Sequence, residues 1–217
     1  AGQKAAAAMA RARRFTFDAN ALDLAPPSAR RSLATMVAAF DRVGCDGAGF
    51  VTRAARCSEG SRAPETAGAE LRPFFDALVA EYAESMPPLC ALHAGHSVPL
   101  GTYDVVDYIA SSAATVADGF ARLGRYLRLA RPESAFAIES ESDDPRVVLH
   151  DQRRSRDWFF DEWTLGVTLR GFRATLGPSF GPRSWGLRRP RPADAQAIRA
   201  AAELVGATPS FDAVAAF

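Results

Sequence analysis

Apolar residues recur at helical spacing through much of this chain, broken by shorter stretches in which they alternate. Ser28, placed after Pro26 and Pro27, suits the N-cap of a helix whose stripe is Leu33, Met36, Val37 and Phe40 and whose stop is Gly44. A second helix begins near Pro73, carries Phe74, Phe75, Leu78, Val79 and Tyr82 at the same spacing, and ends before Pro87 and Pro88. Between them, Ser58 to Gly68 is small, polar and proline-rich and reads as a loop. From Tyr103 to Ala110 the pattern alternates with apolar groups on both faces. It predicts a strand covered on both sides, with Asp104 and Asp107 on opposite faces of the pleat. Ser111 or Ser112 then caps a helix with Val116, Phe120, Leu123, Leu127 and Ala130 on its inner side, stopped by Pro132.

Phe136 and Ile138, and then Val147, Val148 and Leu149, flank the acidic turn Glu141 to Pro145 as a hairpin would. The next helix, from about Asp157 to Leu176, is apolar on every side, with Trp158, Phe159, Phe160, Trp163, Leu165, Val167, Leu169 and Phe172, which predicts burial. Near the end, Trp185 and Leu187 alternate with Gly186 and Arg188, and Pro190 and Pro192 set up a helix start. Ala197, Ile198, Ala201, Leu204 and Val205 form its stripe, and Gly206 stops it. This order predicts an α+β fold: an antiparallel or mixed sheet of about four to five strands packed against helices, behind a helical N-terminal part. Residues 28–217 read as one domain. Residues 1–27 read as a flexible leader, and those before Met9 as vector-derived or trimmed.

With 217 residues, 48% of them hydrophobic, the chain is long enough to bury a sizeable core. Its net charge of +1 supplies no field that would hold nucleic acid by itself. Lys4 is the only lysine, so the cationic surface is arginine. No run approaches the roughly 20 apolar residues that cross a bilayer, and the alanine-then-arginine start lacks a secretory apolar block, which makes the cytoplasm the default compartment. Cys45, Cys57 and Cys90 are odd in number and scattered, as in a reducing compartment without a disulfide framework.

The chemistry-bearing residues are sparse. Cys90, His93 and His96 have a spacing compatible with metal ligands, but no second paired cluster follows and His150 stands alone, so they read as polar core or pocket residues with no metal and no cofactor. Gly44, Gly47 and Gly49 lack the spacing of a phosphate or dinucleotide loop. Asp161 and Glu162, with Arg154, Arg156 and Arg170, read as a solvated salt-bridge face. No nucleophile is visibly coupled to a base, so the chain does not read as an enzyme. What the pattern offers instead is a small-molecule pocket. Phe159, Trp163 and Arg170 share one helix face, an apolar wall with a fork that suits an acidic ligand. Tyr103 and Tyr108 would add hydroxyls from the neighbouring strand, and His93 and His96 would stand at its approach. The competing reading makes the aromatics plain core and lets Arg170 snorkel to solvent.

Gly101 to Leu129, with its aromatic segment, Ser and Thr turn and amphipathic helix, and Arg183 to Phe211, with its strand, Pro-x-Pro-Ala-Asp turn, helix, Gly and Phe, together resemble the arabinose-binding-like N-terminal domain of AraC-type transcription regulators. The resemblance covers roughly Met86 to Phe211. Asp107 stands where that family commonly has Gly, and Ala201 to Glu203 replaces its usual aromatic pair. The resemblance implies a bacterial, cytoplasmic, dimerising domain that senses a small-molecule effector and governs DNA binding through a C-terminal pair of helix-turn-helix units. The short tail Asp212 to Phe217 has no room for those units, so the chain is expected to be the sensory part of a longer regulator. Two other classes compete: a haem or metal sensor with His93 or His96 as axial ligand, and a purely structural dimerisation module.

Overall fold

The stripe of Leu33, Met36, Val37 and Phe40 folds into the buried face of helix α1 (Arg30–Arg42). The computed structural model describes residues 30–58, 72–103, 105–130, 134–139, 146–151 and 158–213, and divides into two units, Ala1–Met86 and Pro87–Phe217. The Ser28 cap and the loop expected through Gly68 lie outside the described residues, apart from Ser58 itself, which ends a helix.

In the first unit α1 is followed by α2 (Gly47–Ser58) and α3 (Arg72–Ser85). Helix α2 is not announced by the apolar spacing, because three glycines crowd its start. Gly44 turns the chain with φ +79, and the Asp46 carboxylate accepts the Gly49 N–H at 2.8 Å as an N-cap. Gly47 has a packing reason: a Cβ there would stand 2.5 Å from the Val37 carbonyl oxygen. Phe40, Phe50 and Tyr82 join the three helices edge to face, with centroids 5.3 Å and 6.4 Å apart.

The second unit contains α4 (Cys90–Ser97), α5 (Val105–Ser111), α6 (Val116–Ala130), β1 (Ser134–Glu139), β2 (Arg146–Asp151), α7 (Trp158–Leu176), β3 (Trp185–Gly186), α8 (Ala195–Val205) and β4 (Pro209–Ser210). The expected hairpin is present as antiparallel β1 and β2, with Phe136 opposite Leu149 and Ile138 opposite Val147, and α6 packs on β1. Strands β3 and β4 pair in parallel across α8. Among the described residues the strands form these two small two-stranded sheets, and helices dominate. The α+β class stands in that helix-rich form.

Two local assignments change. The stretch expected as a strand from Tyr103 is a turn leading into α5. Gly101 adopts φ +80, and Asp107, at the third helical position, reaches back to accept the Tyr103 N–H at 3.3 Å. An eight-residue alternation with apolar groups on both faces does not discriminate period 2 from period 3.6, and the carboxylate decides for helix. Helix α6 is capped by neither Ser111 nor Ser112: Thr115 Oγ1 accepts the Asp118 N–H at 3.1 Å.

Helix α7 is the buried rod that the sequence predicts, and α4 lies against it at backbone range. A Cβ on Gly166 would fall 2.2 Å from the Leu92 carbonyl oxygen, and one on Gly95 2.6 Å from that of Trp163. Leu92, Leu165 and Leu169 then meet Trp185, Leu187, Ile198, Ala201 and Val205 in one core. Leu89, which precedes α4, is fully buried and held at φ 65, a left-handed conformation costing about 1–2 kcal/mol. Asp194 caps α8 by accepting the N–H groups of Gln196 and Ala197, and Gly206 ends it at φ 94.

Glycine in a helix normally costs stability, so two substitutions on α7 should move in opposite directions. Gly171 has open space at its Cβ position, and Gly171→Ala should gain about 0.5–1 kcal/mol. Gly166→Ala should lose about 1–3 kcal/mol by forcing α4 away. Denaturant midpoints of the two variants test this.

Candidate functional site

Helix α7 carries charges into the interior, and each finds a partner from another segment. Asp161 and Glu162, expected on a solvated face, are 1% and 0% exposed. Arg188 engages Asp161 through both Nε, at 2.8 Å, and Nη2, while Arg189 reaches Glu162 through Nη1. The Arg189 guanidinium also lies over the Trp158 ring, 5.3 Å from its centroid. Arg154 and Arg156, the partners expected for these acids, lie outside the described residues.

Arg170 is the third buried charge. It neither snorkels nor presents a bare fork. Its Nη1 donates to the carbonyl oxygens of Val98, at 3.0 Å, and Pro99, and its Nη2 donates to Asp107 on α5. Both side chains are more than nine-tenths buried. Its Nε has no acceptor.

Around this pair stand polar groups of low charge. Tyr103 lies in the turn before α5, and burial pushes its hydroxyl up to about 12, partly offset by a hydrogen bond with Trp163 and the Arg170 charge. It stays a protonated phenol. His96, on α4, is held below its usual 6.5 first by burial and then by the charge of Arg173, with smaller effects of His93 and Arg170. His93 is lowered by burial alone. Both imidazoles are therefore neutral near pH 7. The His96 Nε2 stands 3.5 Å from Arg173 Nη1, and Arg173 ties α7 to the far end of α8 by donating to the carbonyls of Phe180, at 2.8 Å, and Val205, at 3.3 Å.

Of the residues singled out in the sequence, His96, Tyr103, Trp163 and Arg170 meet. His93 is half-buried one turn earlier on α4. Phe159 is fully buried behind Trp163, with centroids 6.1 Å apart. Tyr108 is 69% exposed on α5 and takes no part. It was grouped with the others as a hydroxyl on the expected strand. Asp107 and Arg173 belong to the group but were not singled out. Arg188 and Arg189 had a signal, since an Arg-Arg doublet after a strand mirrors the Asp-Glu doublet on α7. Among the described residues no three His, Cys, Asp or Glu side chains are grouped to hold a metal ion. The arrangement offers hydrogen-bond donors, a paired cation and aromatic surface, which are means of binding rather than of bond breaking.

The family of arabinose-binding domains from the N-terminus of AraC transcription regulators matches residues 44–217. The chain belongs to that family. The match begins at the Gly44 turn, so it takes in α2 and α3 as well as the second unit, beyond the stretch that carries the sequence resemblance. It is a family of regulator domains, not of enzymes. No curated protein is detectably similar to the chain. No helix among the described residues of this regulator domain is long and apolar enough to cross a membrane.

Because His96 and His93 take protons less readily folded than unfolded, unfolding at mildly acid pH takes up protons. The stability they contribute is complete above about pH 6.5 and falls as pH drops below it. Denaturant midpoints at pH 7.5 and 5.5 should show the decline, and His96→Gln should shrink it. Arg189→Ala, which takes the Nη1 donor away from the buried Glu162 carboxylate, should cost about 1–3 kcal/mol by the same measurement.

Proposed function

We propose that this chain is the effector-sensing regulatory domain of an AraC-type transcription regulator, and that the group around Arg170 and Asp107 binds the effector. Membership of the family supports the sensory role. The observation that carries the site is the Arg170 Nε donor, buried without an acceptor beside the Tyr103 phenol, the Trp163 ring and the neutral His96. A donor buried in this way costs about 1–3 kcal/mol unless something accepts from it. A ligand oxygen would satisfy it. The family's name points to arabinose, whereas the aromatic wall and arginine suit a small acid better than a polyol.

The reading includes a helix-turn-helix domain that contacts DNA, a homodimer and a cytoplasmic location, as the sequence resemblance implies. Effector binding would favour one arrangement of the regulator and so bias its occupancy of DNA, with a coupling of about 1–3 kcal/mol.

Thermal melts across sugars, small carboxylic acids and their amides test the reading. A ligand at a hundredfold excess over its Kd should add about 2.7 kcal/mol, and Tyr103→Phe or Arg170→Gln should abolish most of the shift. A chain that responds to none of these classes, or whose response survives both substitutions, would count against the site.

A further inference from the structure

We infer that Asp107 occupies the place of a ligand carboxylate, and that an acidic effector acts by competing with it for Arg170. The inference rests on the reading of this group as the effector site and names the class of ligand and the means of regulation.

A guanidinium takes a carboxylate best along its Nε and Nη2 edge, where two parallel donors meet two oxygens. Arg188 uses that edge in full on Asp161. Arg170, on the same helix as Asp161, does not. Asp107 engages Nη2 only, its other oxygen turns away to accept the Tyr103 N–H, and Nε is idle although the side chain is 7% exposed. The internal carboxylate is thus a one-pronged occupant of a two-pronged seat. A ligand carboxylate would meet both donors and conserve the charge balance at Arg170, since one anion replaces another.

The cover over the seat is thin. Asp107 belongs to a seven-residue helix, and the turn leading into it holds Arg170 through the Val98 and Pro99 carbonyls. Gly101 shapes that turn at φ +80, and Leu100 and Tyr108 are 55% and 69% exposed. Displacing Asp107 from Arg170 removes the ion pair that ties α5 to α7. The ligand's arrival is thereby converted into loosening of one short helix, which is the two-state element that a sensor needs.

The test uses the 217-residue chain with benzoate and hexanoate, and with benzamide and hexanamide as uncharged counterparts, at matched ionic strength. In Asp107→Asn the half-saturating concentration of the carboxylates should fall at least tenfold, with the amides unaffected. Should that variant not fold, hydrogen exchange of the unaltered chain decides: saturating carboxylate should speed exchange at residues 105–111 and slow it in α7. The inference is overturned if the carboxylates bind neither protein, if they bind both equally, or if they protect α5. Binding of the amides alone would keep the sensor reading and remove this one, whereas silence across the wider ligand panel removes both.

Discussion

The close passage of α4 over α7 is the constraint from which the second unit is built. Gly95 and Gly166 each lie under a carbonyl of the other helix, so the two backbones touch where side chains would normally keep them apart. That contact fixes α7 in both rotation and height. Leu165 and Leu169 are then aimed at Trp185, Leu187 and α8, while Arg170 is aimed at the turn after α4 and at α5. The core and the candidate site are two faces of one placement.

An apolar helix this well buried could settle in several rotations if packing alone positioned it. Asp161, Glu162 and Arg170 remove that freedom, because each rotation other than the observed one would leave a charge in the interior without its partner. Desolvation makes such pairs modest contributors to net stability, so their physical role here is registry. The candidate site borrows one of them. Its donors are held rigidly by α7, whereas its acceptor rides on the smallest helix of the unit.

Much of this was legible in the sequence. The stripes of α1, α3, α6 and α8, the apolar α7 and the β1 and β2 pairing follow from periodicities long enough to be unambiguous. Failures fall where a single side chain overrides a short pattern. Val105 to Ser111 fits either period, and Asp107 accepting a backbone N–H tips it to helix. Helix α2 hides behind glycines that serve a turn and a close approach. Within the site, Arg170, Tyr103, Trp163 and His96 were visible as residue types that pockets use, but their pairing was not. Arg170 meets Asp107 across 63 positions of sequence, and no local spacing encodes such a meeting. The doublets on α7 and after β3 were the one long-range signal that could have been read, as charges in matched order.

The position of Arg188 and Arg189 along the chain bears on how the unit is made. Asp161 and Glu162 precede Arg188 and Arg189 by 27 positions, so these two ion pairs close only when the segment through Arg189 has joined the fold. Pairing of these carboxylates with Arg188 and Arg189 therefore couples the docking of α7 to that of the segment after β3.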